Sequence, residues 1–258
     1  MKKTDFSYLS ERKKFLYEQM ARTYRSQDRQ KNTDWVPFKA RMIDSNIALI
    51  SISGAYMSDQ EPLTAEGKER DYEPREISLS VAKGNLNFFP LDWEPSEAQK
   101  DFNVVLPIER LVLLQKEGMI GKIHDPVYSF SGHSANKKFL MKHVFRTFEK
   151  IKAAECNGVL IVPCSPRTSE TACLIASEIE RRGIATVMLT LFYEQALFMA
   201  PPRCAFVNYP FGRPFGKADH VTLHTAILRD TLRLFEKTKV PGEILSLNFV
   251  WSFGEIPV

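Results

Sequence analysis

From Gly158 onward the chain alternates three times between a short apolar run and a helical pattern, and this rhythm constrains its fold more than any other feature. Gly158-Val159-Leu160-Ile161-Val162 reads as a strand buried on both faces, leading to a helix from about Ser169 to Arg182. Ile184 to Leu189 is a second strand, followed by a short helix over Glu194 to Met199. Cys204 to Val207 is a third, leading over a Gly/Pro loop to a helix from about His220 to Lys237. Strands and helices in alternation build parallel sheets through right-handed crossovers. The expected fold class is therefore α/β: a doubly wound, mostly parallel sheet flanked by helices, with Rossmann-like topology.

The upstream half fits the same plan. Asn46 to Gly54 is an apolar run ending in glycine, a further buried strand. Pro107 opens a helix through Leu114 that stops at Gly118, with proline in the first turn and glycine past the end. Ile120 to Phe130 offers another strand, and Lys137 to Glu155 an amphipathic helix. Between them, residues 56–103 form a loop-rich insertion broken by Pro62, Pro74, Pro90 and Pro95. It has room for a short strand at Glu76 to Leu79 and holds an aromatic cluster of Phe88, Phe89 and Trp93. Long irregular segments inside a compact chain tend to be functional or interfacial. The expected division is an N-terminal basic amphipathic helix over 1–40 and a single α/β domain over 41–258.

Charge is uneven along the chain. Residues 1–40 carry ten Lys/Arg and five Asp/Glu, a net of +5, whereas the whole chain is +4. Acids punctuate the basic run, and Phe6, Leu9, Phe15, Leu16, Met20 and Tyr24 suggest one buried stripe. A solvated helix face is the first expectation, a subunit contact the second; nucleic acid comes last. No apolar run approaches the ~20 residues of a membrane span, and the start, Met1-Lys2-Lys3, leads into no secretion signal. Four cysteines without Cys-x-x-Cys spacing read as reduced thiols, so a cytoplasmic location is expected. The five histidines form no metal signature, and neither a Gly-rich dinucleotide fingerprint nor a Walker loop is present. No metal and no cofactor are expected.

Ligands of open parallel sheets bind beyond the carboxyl ends of the strands. The segment Val162-Pro163-Cys164-Ser165-Pro166-Arg167-Thr168-Ser169 is placed there by pattern alone. Ser165 or Ser169 can cap the following helix, whose free N–H groups could hold an anion. A cysteine beside a helix N-terminus has its thiolate favoured by the dipole, and Arg167 adds positive charge. Cys164 is therefore either a reactive thiol or a small buried residue ahead of an ordinary capped helix. Arg213, in a second loop (Tyr209 to Lys217) that also follows a strand, could meet an anion or be a solvated charge. His133, at a strand-to-helix junction, could serve as acid/base or as an anion donor.

Four stretches carry a family resemblance: Arg75-Glu76-Ile77; Asp101 to Leu111, closing with Glu117 to Gly121; Asn157-Gly158-Val159 through Glu178 to Ile184; and Pro202 to Ala205 through Ile227 to Leu232, with Pro241-Gly242 behind. On these the chain resembles the selenoprotein B subunits of the glycine/sarcosine/betaine and D-proline reductases, in particular the short D-proline type and its selenium-free relatives. The resemblance implies an α/β fold and reductive cleavage of a carbon–nitrogen bond beside a pyruvoyl-bearing partner subunit. It also implies a selenocysteine or cysteine in the loop after the third block's strand, with a second cysteine three residues on. Aligned without gaps, those positions fall on Ser165 and Thr168, with Cys164 one residue early. The family's His-x-x-Tyr-Asp stretch falls on Pro90 to Glu94, without its histidine.

The leading expectation is a reductase-like enzyme acting on a small amino-acid-like or carboxylate substrate by thiol-dependent reductive cleavage. Cys164 would be the nucleophile and His133 the acid/base, while Ser165, Arg167, Thr168, Ser169 and Arg213 hold the substrate. The alternative is a non-redox paralogue that binds a small carboxylate or a partner subunit through the same loop. A third is a lyase or hydrolase using Ser165 or the carboxyl groups of Asp92 and Glu94. Expected partners are the small-molecule substrate, a reductase partner subunit or thioredoxin-like donor, and a second copy of the chain.

Overall fold

The structure is a computed structural model that describes residues 3–28 and 35–251. Its strands are β1 (Asn46–Ile52), β2 (Ala55–Met57), β3 (Arg75–Ile77), β4 (Leu86–Phe88), β5 (Lys122–Ile123), β6 (Val127–Ser129), β7 (Gly158–Pro163), β8 (Ala185–Thr190), β9 (Arg203–Phe206) and β10 (Glu243–Ser246). Its helices are α1 (Glu11–Ser26), α2 (Ser96–Lys100), α3 (Ile108–Lys116), α4 (Lys137–Ala153), α5 (Pro166–Arg181), α6 (Tyr193–Met199), α7 (Val221–Leu232) and α8 (Leu234–Lys237).

One eight-stranded sheet runs β10-β9-β8-β7-β1-β6-β3, with β5 also paired to β1. Every pairing in it is parallel except β3 with β6. The doubly wound, mostly parallel expectation is met. Counted along the chain, its parallel strands read 2-1-3-4-5-6, the flavodoxin-like order with one strand added rather than the dinucleotide-binding 3-2-1-4-5-6. The order reverses between β1 and β7, and the crevice beyond their carboxyl ends is the topological switch point.

Side-chain parity sorts the core into two layers. Ile47 and Leu49 of β1, with Leu160 and Val162 of β7, face α3, α7 and α8. Ala48, Ile50 and Ile52, with Val159 and Ile161, face α4 and α5. Strands buried on both sides must be apolar at successive positions, which is why the central ones stand out in the sequence.

Shorter elements depart from expectation. The strand read over Ile120 to Phe130 is two pieces, β5 and β6, on either side of Pro126, whose nitrogen cannot donate to a ladder. The helix read over His220 to Lys237 is split at Arg233. The insertion holds the antiparallel ribbon β2–β4, and β10 is an additional edge strand. Among the described residues of 1–40 the N-terminal helix covers Glu11–Ser26; residues 1–2 and 29–34 of that span lie outside the described residues, as do 252–258 of the expected domain. Its expected stripe is also mis-phased: Phe15 and Leu16 are 64% and 54% exposed, while Leu9, Met20 and Tyr24 pack against the core. Among the described residues, no helix is long and apolar enough to cross a membrane.

Candidate functional site

The β7–α5 turn lies at the switch point and is built from its own side chains. Ser165 is the N-cap of α5: its hydroxyl accepts the Thr168 N–H at 3.3 Å, and Pro166 fills the first helical position, where no N–H is missed. Thr168 reaches back, its hydroxyl accepting the N–H groups of Cys164 at 2.8 Å and Ser165 at 2.7 Å. The missing fourth wall comes from the insertion. One oxygen of Asp92 accepts the Ser165 hydroxyl, and the other accepts the Arg167 N–H at 3.3 Å. A carboxylate at a helix N-terminus is the favoured partner for those N–H groups. Here the protein supplies that carboxylate itself. Burial pushes the Asp92 carboxyl above the usual aspartate range, and the Ser165 hydrogen bond and Arg167 pull against that rise.

Close approaches lock the turn between neighbouring loops. A side chain on Gly132 would meet Thr168 Cγ2 at 2.8 Å, and one on Gly212 would meet the Glu94 carbonyl at 2.7 Å. Gly212 also donates its N–H to the Cys164 carbonyl at 2.7 Å. Thr171, one turn into α5, donates its hydroxyl to the Gly132 carbonyl at 2.7 Å. Ser169 is buried, and its hydroxyl has no hydrogen-bond partner among the described residues.

The structure treats the expected residues differently. Cys164 continues the parity of Leu160 and Val162 and points into the α3/α7 layer with 0% exposure. Burial first, and the nearby Asp92 charge second, push its thiol well above the ordinary cysteine value. That direction is opposite to the thiolate activation expected from the helix dipole. Burial within the sheet outweighs the dipole because Cys164 belongs to the strand's parity and not to the helix's first turn. The other three cysteines are free and buried as well.

Two depressions flank the Pro90–Asp92 segment. His133 and Arg167 line a groove of about 630 Å³ together with Phe89 and Asn136. There His133 Nε2 lies 2.9 Å from the Thr64 carbonyl, with its ring against those of Tyr72 and Phe89. Arg213 instead lines a cleft of about 690 Å³ on the other side, with Asp92, Trp93 and Glu94. The N-terminal arm supplies that cleft's outer wall through Tyr8, Leu9, Lys13 and Tyr17. Sequence reading did not place these four, nor Asp92 beside Ser165. The aromatic richness of the arm and of the insertion was their one visible signal.

These features define a doubly wound α/β protein whose candidate site sits at the switch point, on the turn between a buried strand and a capped helix. Its sequence matches the model of the glycine/sarcosine/betaine reductase selenoprotein B family over residues 37–164. It is 22% identical to the D-proline reductase subunit gamma of Acetoanaerobium sticklandii over 216 residues, covering 83% of this chain and 88% of that one. It is 26% identical over 162 residues to the glycine reductase complex component B subunit gamma of Symbiobacterium thermophilum, covering 62% of this chain and 34% of that protein. A betaine reductase complex component B subunit beta of Peptoclostridium acidaminophilum shares 26% over 125 residues, which is 29% of its length. The chain thus spans most of the D-proline reductase subunit and about a third of the glycine and betaine reductase subunits. No solved structure matches it. Over residues 37–164 the chain is thus similar to the selenoprotein B family.

Proposed function

We propose that this chain is a non-redox, ligand-holding component of a reductase-type assembly, one that binds a small amino-acid-like or other carboxylate molecule beside the β7–α5 turn. The observation that carries this reading is the state of that turn. Its cysteine is buried with the thiolate disfavoured, and its helix N-terminus already holds Asp92. Neither the nucleophile nor the open anion position of a thiol-dependent cleavage is presented to solvent. What is presented is the adjoining cleft, whose volume lies in the range of small-molecule sites, ~300–1,000 Å³, and whose lining mixes rings with charges of both signs. The relatives' names as subunits of reductases or reductase complexes support a place beside a partner subunit. Four free cysteines fit a reducing, cytoplasmic setting.

Timed alkylation with iodoacetamide, read by mass spectrometry at neutral pH, tests the reading. Cys164 should stay unmodified in the folded chain and react only on unfolding, and Cys164→Ala should keep ligand binding. Fast, selective labelling of Cys164, together with dithiol-driven turnover of an amino acid that Cys164→Ala abolishes, would overturn the proposal in favour of thiol chemistry.

A further inference from the structure

The 690 Å³ cleft has an inventory of donors and acceptors that does not balance, and the imbalance says what it would take. Its two acids are already engaged. Asp92 accepts from Ser165 and from the Arg167 N–H. Glu94 accepts the Ser96 N–H at 2.9 Å and the Ser96 hydroxyl, and Arg213 Nη2 stands 3.6 Å from it. Arg213 also lies over the Trp251 ring, 5.5 Å from its centre. One cation is not matched. Lys13 is exposed and forms no ion pair among the described residues, its charge reaching Asp92 only at a distance.

The rest of the wall is apolar. Tyr8 and Tyr17 meet Phe211 edge to face, at 5.9 and 5.2 Å between ring centres, and Leu9 and Pro95 complete the lining. Rings set at such angles accept a further flat ring, by edge or by face, with specificity beyond its area.

We infer that this cleft is a binding site for a small carboxylate carrying an aromatic ring, its anionic oxygens toward Lys13 and its ring among Tyr8, Tyr17 and Phe211. The inference rests on the reading above that the chain holds a carboxylate, and adds to it the body of that molecule. The arm that supplies Tyr8, Leu9, Lys13 and Tyr17 lies before Pro37, where the match to the family model begins.

Titration of the full chain with phenylacetate, followed by tryptophan fluorescence and calorimetry, tests it. Saturable binding is expected, weakened about tenfold or more in Lys13→Glu and several-fold in Tyr17→Leu, which removes a ring from the wall; a tenfold loss corresponds to ~1.4 kcal/mol. Phenethylamine, with the same ring and the opposite charge, should not bind. Equal binding of phenethylamine, or unchanged affinity in both variants, overturns the inference. Lys13 is on the surface, so its variant folds whatever becomes of Tyr17→Leu. If acetate binds as tightly as phenylacetate and Lys13→Glu weakens both, the aromatic class is overturned while the carboxylate reading stands. If neither carboxylate binds, both fall.

Discussion

Ser165 and Asp92 decide the character of the turn. Ser165 caps α5 and donates to Asp92, so it acts on both sides of the same hydroxyl. Ser165→Ala should cost about 1 kcal/mol, the usual loss of a serine N-cap, measured by urea unfolding. Asp92 carries a pH signature. Its carboxyl is held above the ordinary aspartate value in the folded chain. Between the ordinary value and the raised one, the folded state therefore binds more protons than the unfolded state, and stability falls as pH rises through that window. Asp92→Asn should remove this decline. Burial also raises Glu180, which contributes a slope of the same sign; it is present in both proteins, so the difference between their urea midpoints across pH isolates Asp92. A variant with an unchanged slope would place the buried charge elsewhere.

Elements meet at the switch point through glycines that admit no side chain. Gly54, just past β1, has φ +64°, donates its N–H to the Phe130 carbonyl and accepts from the Phe89 N–H, both at 2.8 Å. A Cβ there would lie 2.4 Å from the Phe89 carbonyl oxygen, a backbone atom that cannot swing aside. Gly54→Ala therefore combines a left-handed backbone, ~1–2 kcal/mol, with a forced backbone shift of ~1–3 kcal/mol. A loss of roughly 2–5 kcal/mol on these terms, seen as a lower thermal midpoint, is expected. Legibility among the elements followed length. β1, β7 and β8, six or seven residues each and buried throughout their central positions, stood out as apolar runs. β2 to β6, of two or three residues, are too short for a period of two to be counted.

Across the whole molecule, one buried ion pair fastens the N-terminal arm to the sheet. Arg203 of β9 and Glu180 of α5 are both fully buried, 2.7 Å apart. Glu180 also accepts from the Val36 N–H, Arg203 donates to the Val36 carbonyl, and the guanidinium lies 5.1 Å from the Trp35 ring centre. At the arm's other end, the Thr4 hydroxyl donates to Glu194 at 2.7 Å, and the Asp5 N–H donates to Asn208 at 2.8 Å. The arm is thus held at both ends across the cleft it walls. Removing one member of a buried pair strands the other charge, so Arg203→Met should cost about 3–5 kcal/mol. The double variant Glu180→Gln/Arg203→Met should recover part of that loss in urea unfolding. A double variant no more stable than the single one would show that Arg203 acts through Trp35 and Val36 and not through Glu180.

Local pattern was enough to place the sheet, its main crossovers and the turn after Val162, because burial on both faces leaves an unbroken apolar run and proline and serine mark where a helix begins. Even the direction of Cys164 was present in the pattern, had β7 been carried through Pro163: parity puts Cys164 on the same side as Leu160 and Val162. The partners of the turn were not present. Asp92 precedes Ser165 by 73 positions and Lys13 comes far earlier still, and no spacing along the chain encodes which irregular segment folds over a strand end. That was decided in three dimensions, by the packing of the insertion and the arm over the switch point. There a thiol entered the core and a carboxylate took its place at the helix.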